Sequence, residues 1–124
     1  MISDPSTAAR IEAALLPLGP VMARRMFGGY GVFLDGLMFA LIAEDRLFLK
    51  VDDESKPRFA EAGSRPFVYE GKRRPVEMSY WLLPDAATGD PEALVEWARI
   101  ALAAARRAKA AKAEKKRSGR KDRA

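Results

Sequence analysis

Three observations predict an α+β domain of two layers, with a mainly antiparallel sheet carrying helices on one face. Runs of alternating apolar residues are joined by Asp35-Gly36 and Glu44-Asp45, connections short enough to make hairpins. Two helix-period stripes open on Asp-Pro pairs, Asp4-Pro5 and Asp90-Pro91, which suit an N-cap followed by the first helical position. A cluster of glycines, Gly28-Gly29-Tyr30-Gly31, stands directly before the longest alternating run and supplies backbone freedom for a turn or bulge. The expected order is α-β4-α-β2-α. With 124 residues, 48% hydrophobic and 31% charged, the chain has the size and composition of one globular domain with its own core.

The first helix follows Asp4-Pro5, with Ala8, Ile11, Leu15 and Leu18 on one stripe, and stops at Pro17, Gly19 and Pro20. Four strands are expected at Val21–Phe27, Tyr30–Asp35, Leu37–Ala43 and Arg46–Asp52, joined as a meander. A short helix is expected from Asp53 to Ala62, acidic at its start and stopped by Gly63; Pro57 suits it only inside the first turn. Phe67–Glu70 and Val76–Trp81 alternate around the basic tip Gly71-Lys72-Arg73-Arg74, a second hairpin. The last helix buries Leu94, Trp97, Ala98, Ala101 and Ala105, and alanine carries the pattern toward Ala113 before charge is expected to dissolve it. One domain over 1–107 and a basic, disordered tail over 108–124 are the expected organisation.

Composition removes much chemistry. Cysteine and histidine are both absent, which excludes disulfides, thiolate nucleophiles, cysteine–zinc sites and imidazole general bases. No apolar stretch reaches bilayer length, and the N-terminus lacks the basic and apolar regions of a secretory leader, so a cytoplasmic protein without membrane association is expected. Charge is unevenly spread. Residues 1–105 hold 12 Lys and Arg against 15 Asp and Glu, whereas residues 106–124 hold 10 against 2. The tail, through Arg106, Arg107, Lys109, Lys112, Lys115, Lys116, Arg117, Arg120 and Lys121, is a candidate non-specific nucleic-acid contact. A solvated extension that aids solubility is the alternative.

Candidate sites in the body are sparse. The glycine cluster fails the dinucleotide pattern, because Leu34 stands at the third position and a strand follows; no Walker loop exists. Glu44-Asp45 and Asp52-Asp53-Glu54 could serve a hard cation or acid–base chemistry, but turns and helix starts also favour acids. No catalytic, cofactor or metal residue is assigned. In the second and fourth strands, Tyr30, Val32 and Leu34, and Leu47, Leu49 and Val51, form aliphatic faces, leaving Phe33 and Phe48 outward among charges. Leu37–Ile42 is apolar on both faces. Phe33 and Phe48 are therefore candidate interface residues, covered either by the last helix or by a partner, with a homodimer the expected form.

Arg25-Met26-Phe27-Gly28-Gly29-Tyr30-Gly31, Asp35-Gly36, Phe39–Ile42, Leu47–Val51, Pro66-Phe67, Tyr69 and Met78-Ser79-Tyr80-Trp81 resemble the TfoX N-terminal domain, over about Ala8 to Arg107. The resemblance implies an α+β domain similar to type III secretion chaperones, and a bacterial, cytoplasmic, non-enzymatic protein without cofactor. It implies a regulatory or adaptor role through protein–protein contacts, in transcription or competence control. In two-domain members a helical domain follows; here a basic tail stands in its place. The family motif residues are Arg25, Met26, Phe27, Gly28, Gly29, Gly31, Met78, Ser79, Tyr80 and Trp81, and they read as folding residues. A nucleic-acid accessory protein acting through its tail is the alternative.

Overall fold

The computed structural model describes residues 4–26, 28–70 and 75–123. Helix α1 (Pro5–Ala14) leads into the strands β1 (Met22–Met26), β2 (Gly29–Leu34), β3 (Leu37–Ala43) and β4 (Arg46–Lys50). Helix α2 (Lys56–Glu61), β5 (Pro66–Glu70), β6 (Pro75–Leu82) and helix α3 (Pro91–Arg123) follow. The strands form one sheet in the order β1-β2-β3-β4-β6-β5, every pairing antiparallel. This is the α+β architecture expected from the pattern of runs and caps.

Local chemistry sets the helix ends. Asp4 caps α1 by accepting the Ser6 amide at 2.9 Å, and Asp90 caps α3 by accepting those of Glu92 and Ala93 at 3.1 Å. Pro17 cannot continue α1, and a single 3-10 turn (Leu16–Leu18) replaces its last turn. α2 starts three residues later than expected. Asp52 Oδ1 takes the Ser55 amide at 3.0 Å while Ser55 Oγ takes the Asp52 amide at 3.0 Å. That reciprocal pair holds 53–55 as a turn and leaves Pro57 in the first helical turn, where its missing N–H is harmless. Gly63, at φ +79°, ends α2 as anticipated.

The helices share one side of the sheet with a single core. Val32, Phe39, Ala40, Ile42 and Leu49 rise from the strands to meet Leu15, Phe59, Ala98, Ala101 and Ala105, all at most 3% exposed. Phe59 of α2 meets Trp97 of α3 edge to face, centroids 4.8 Å apart. Small residues on the buried face of α3 let that helix lie close to β3 and β4. The double-sided apolarity of β3 has a geometric cause. The β2–β3 register shifts between Val32 and Phe33, so that Val32 pairs with Ala40 while Phe33 pairs with Met38. This bulge lets adjacent Phe39 and Ala40 both be fully buried.

α3 continues as one helix of 33 residues. Its backbone therefore stays helical past Ala113, where the charge run was expected to end the pattern. Alanine, lysine, arginine and glutamate are all strong helix formers, so the composition that looks disordered is also permissive of helix. Phe27 and the basic hairpin tip Gly71-Lys72-Arg73-Arg74 lie outside the described residues.

Candidate functional site

The first hairpin is built by its glycines. Between β1 and β2, Gly28 takes φ +80°, and Met26 pairs with Gly29. A Cβ on Gly29 would collide with the Ile42 carbonyl oxygen of β3, so only glycine lets the two strands approach there. Gly31 differs. Its missing Cβ faces Met26 Sδ at 2.8 Å, Phe33 Cε1 at 3.0 Å and Met38 Cε at 3.2 Å, all ends of movable side chains. The motif thus clears room for an apolar cluster on the side of the sheet away from the helices.

That outer face can be read from the register. Met22, Arg24 and Met26 of β1 alternate onto it with Gly31 and Phe33, then Met38, Leu41, Phe48, Lys50, Met78, Tyr80 and Leu82. Met22 is 55% exposed, and Met38, Leu41, Met78 and Leu82 are partly exposed. Two cations mark its margins. The Arg24 guanidinium lies 5.6 Å from the Phe33 ring centroid, and Lys50 Nζ lies 5.3 Å from that of Tyr80 while donating to Ser79 Oγ at 2.7 Å. Burial lowers the Lys50 pKa, against the opposing pull of Asp52, and burial raises that of Tyr80. Both directions report a poorly hydrated margin beside β6.

Phe33 and Phe48 are not equivalent, contrary to the expectation from strand alternation. Phe33 is half-buried beneath Arg24, whereas Phe48 is only 7% exposed because Phe67 of β5 covers it edge to face at 5.1 Å. Phe48 fills the face from within and cannot itself offer much contact area. Met22 and Met38 were not singled out from sequence. The signal was present in the alternation Met22-Arg24-Met26, which places a methionine stripe opposite the helices.

The remaining motif residues are structural neighbours. Arg25 lies over Tyr30 at 5.8 Å, while Ser79, Tyr80 and Trp81 line β6 against β4. Trp81 pairs with Leu49, and its Nε1 is the buried side-chain polar atom without a hydrogen-bond partner among the described residues.

The acidic candidates are engaged structurally. Asp45 Oδ1 accepts the Asp4 amide at 2.7 Å and Thr7 Oγ1 at 2.9 Å, tying the β3–β4 turn to the start of α1. Asp52 receives Arg107 Nε and Nη2 at 2.6 and 3.1 Å, and Glu54 receives the same Nε at 2.7 Å. The Arg107 hydrogen bond is the largest influence lowering the Asp52 pKa, to about 2. Among the described residues no group of three or more acids could hold a metal ion. A groove of about 800 Å³ between α1, the β3–β4 turn and the start of α3 carries Arg10, Arg46 and Arg65 against Asp45, Asp85 and Asp90. Its charges balance and select neither sign of ligand. No helix of the described residues is long and apolar enough to cross a membrane.

A one-sided antiparallel sheet, pinned by a glycine-closed hairpin and with its methionine-lined face uncovered among the described residues, defines a small α+β domain. The family model of the TfoX N-terminal domain matches residues 13–105, and the chain belongs to that family. It is also similar to the DNA transformation protein TfoX1 of Aliivibrio fischeri, 31% identical over 78 residues. That match covers 63% of this chain and 37% of the relative, so the chain corresponds to little more than a third of the larger protein.

Proposed function

We propose that this TfoX-family domain is a non-enzymatic, competence-related regulatory module that works by protein–protein contact through its outer sheet face. Family membership and the likeness to a DNA transformation protein support the regulatory reading. The single observation that carries the contact reading is the methionine-lined face, where Met22 is 55% exposed. Its first occupant is a second copy of this chain. A two-fold contact sets the apolar centres together and leaves Arg24 and Lys50 at the rim.

Size sets the expected strength. Six strands spaced by about 4.8 Å and about 20 Å long present roughly 500 Å² per partner. Doubled, that is about 1,000 Å², below a standard stable interface, so the dimer forms at micromolar concentrations or above. Light scattering from about 1 to 500 μM therefore shows the mass rising toward twice that of the monomer. Met22→Asp with Met38→Asp holds the protein monomeric without lowering its melting temperature. A monomer across the whole range, or a variant that dimerises like the parent, overturns the proposal.

A further inference from the structure

The C-terminal half of α3 has a polarity that composition alone does not reveal. Residues 106–123 hold ten basic residues against two acidic ones, yet the backbone there is one continuous helix with the packed segment before it. Continuity fixes the phase. Arg107 points back to the domain, where it holds Asp52 and Glu54. At about 100° per residue, Glu114 shares the side of Arg107. Arg106, Lys109, Lys112 and Lys116 fall within an arc of about 120° across the helix from Arg107, and Lys109, Lys112 and Lys116 continue, past the core, the stripe that Ala98, Ala101 and Ala105 bury. These four are exposed and have no ion-pair partner among the described residues. This exposed segment of the helix is a rod that concentrates four cations on one side, with Lys115 at the margin of that stripe.

We infer that this stripe is a docking surface for the phosphate backbone of duplex nucleic acid, bound without sequence selection. Arg106 to Lys116 spans about 15 Å of helix axis, with neighbouring cations about 4 to 6 Å apart. A duplex offers one phosphate charge per about 1.7 Å of its axis, so each cation of the rod can reach a phosphate. The rest of the rod surface argues for that partner. Residues 106–116 contain alanine as their only apolar type, so the rod lacks the bulky hydrophobic face that would bury it in a lipid surface. They also contain no aromatic ring on which unpaired bases could stack. The site is independent of the sheet face, which lies across the domain from the helices.

Fluorescence anisotropy of the full chain with a labelled 20-base-pair DNA of arbitrary sequence tests the inference. Binding is expected at 50 mM salt and falls steeply by 200 mM, with a log–log slope near −4 for about four phosphate contacts. Replacing Arg106, Lys109, Lys112 and Lys116 by glutamine, a good helix former, weakens binding more than tenfold and makes the slope shallower, the six remaining cations keeping part of it. Moving charge off the stripe at constant composition, with Lys112→Ala and Ala111→Lys, also weakens it. Circular dichroism of both variants confirms that helix content is retained. Equal binding by the glutamine variant, or no binding at 50 mM salt, overturns the inference. So does competition by anionic vesicles as effective as that of unlabelled duplex.

Discussion

Gly29→Ala tests the account of the glycine motif most directly, with Gly31→Ala as its internal comparison. At Gly29 the new methyl carbon would overlap the Ile42 carbonyl oxygen and lie 3.2 Å from the Ile42 carbonyl carbon. Both are backbone atoms in the centre of the sheet, and β3 is held on its other side by β4. Relief requires moving a strand, so the cost sits at the upper end of overpacking, about 3 kcal/mol. Reduced freedom of the unfolded chain returns about 0.5–1 kcal/mol. The net loss is about 2 kcal/mol, which lowers the melting temperature of a chain this size by about 8 °C. At Gly31 the obstacles are Met26 Sδ, Phe33 Cε1 and Met38 Cε, which can swing outward, so the change there is within about 0.5 kcal/mol. Urea titration of both variants, followed by far-ultraviolet circular dichroism, measures the difference. Equal stability of the two variants, or an undisturbed Gly29→Ala protein, would refute the close-approach reasoning.

Three further outcomes are expected. Glu44 and Asp45 both sit at positive φ, 52° and 59°, so Glu44→Asn stabilises by about 0.5–1 kcal/mol, whereas Asp45→Ala loses two acceptor contacts to α1 and destabilises by about 1–2 kcal/mol in chemical denaturation. Asp52, depressed to about 2, stabilises the fold above the ordinary carboxylate range and loses that contribution as pH falls toward 2; Arg107→Gln returns its carboxyl titration, followed by NMR, toward the usual value. An unchanged Asp52 titration in that variant would remove Arg107 as the cause.

Much of this structure could be read from local pattern. The Asp-Pro caps at Asp4 and Asp90, the Asp35-Gly36 hairpin and the stop at Gly63 work through atoms a few residues apart, so their chemistry is visible in the sequence. The family motif was legible for the same reason: Gly28 lies in the turn that its neighbours demand. The delayed start of α2 was not, because two readings of Asp52–Ser55 compete and a reciprocal side-chain pair decides between them. The fate of the outward phenylalanines was also hidden. Alternation placed Phe33 and Phe48 on one face, but it could not show that Phe67 would cover one of them.

Chain chemistry alone settled the strand runs, the helix caps, the turn glycines and the absence of thiol and imidazole groups, since each depends on residue type or on neighbours within a turn. Partners distant in sequence settled the rest. The bulge that turns both Phe39 and Ala40 inward arises from pairing with β2, and the collision that reserves Gly29 comes from the Ile42 carbonyl. The grip of Arg107 on Asp52 spans 55 residues and orients the charged end of α3. Such contacts depend on how strands and helices meet in space, which no local periodicity encodes.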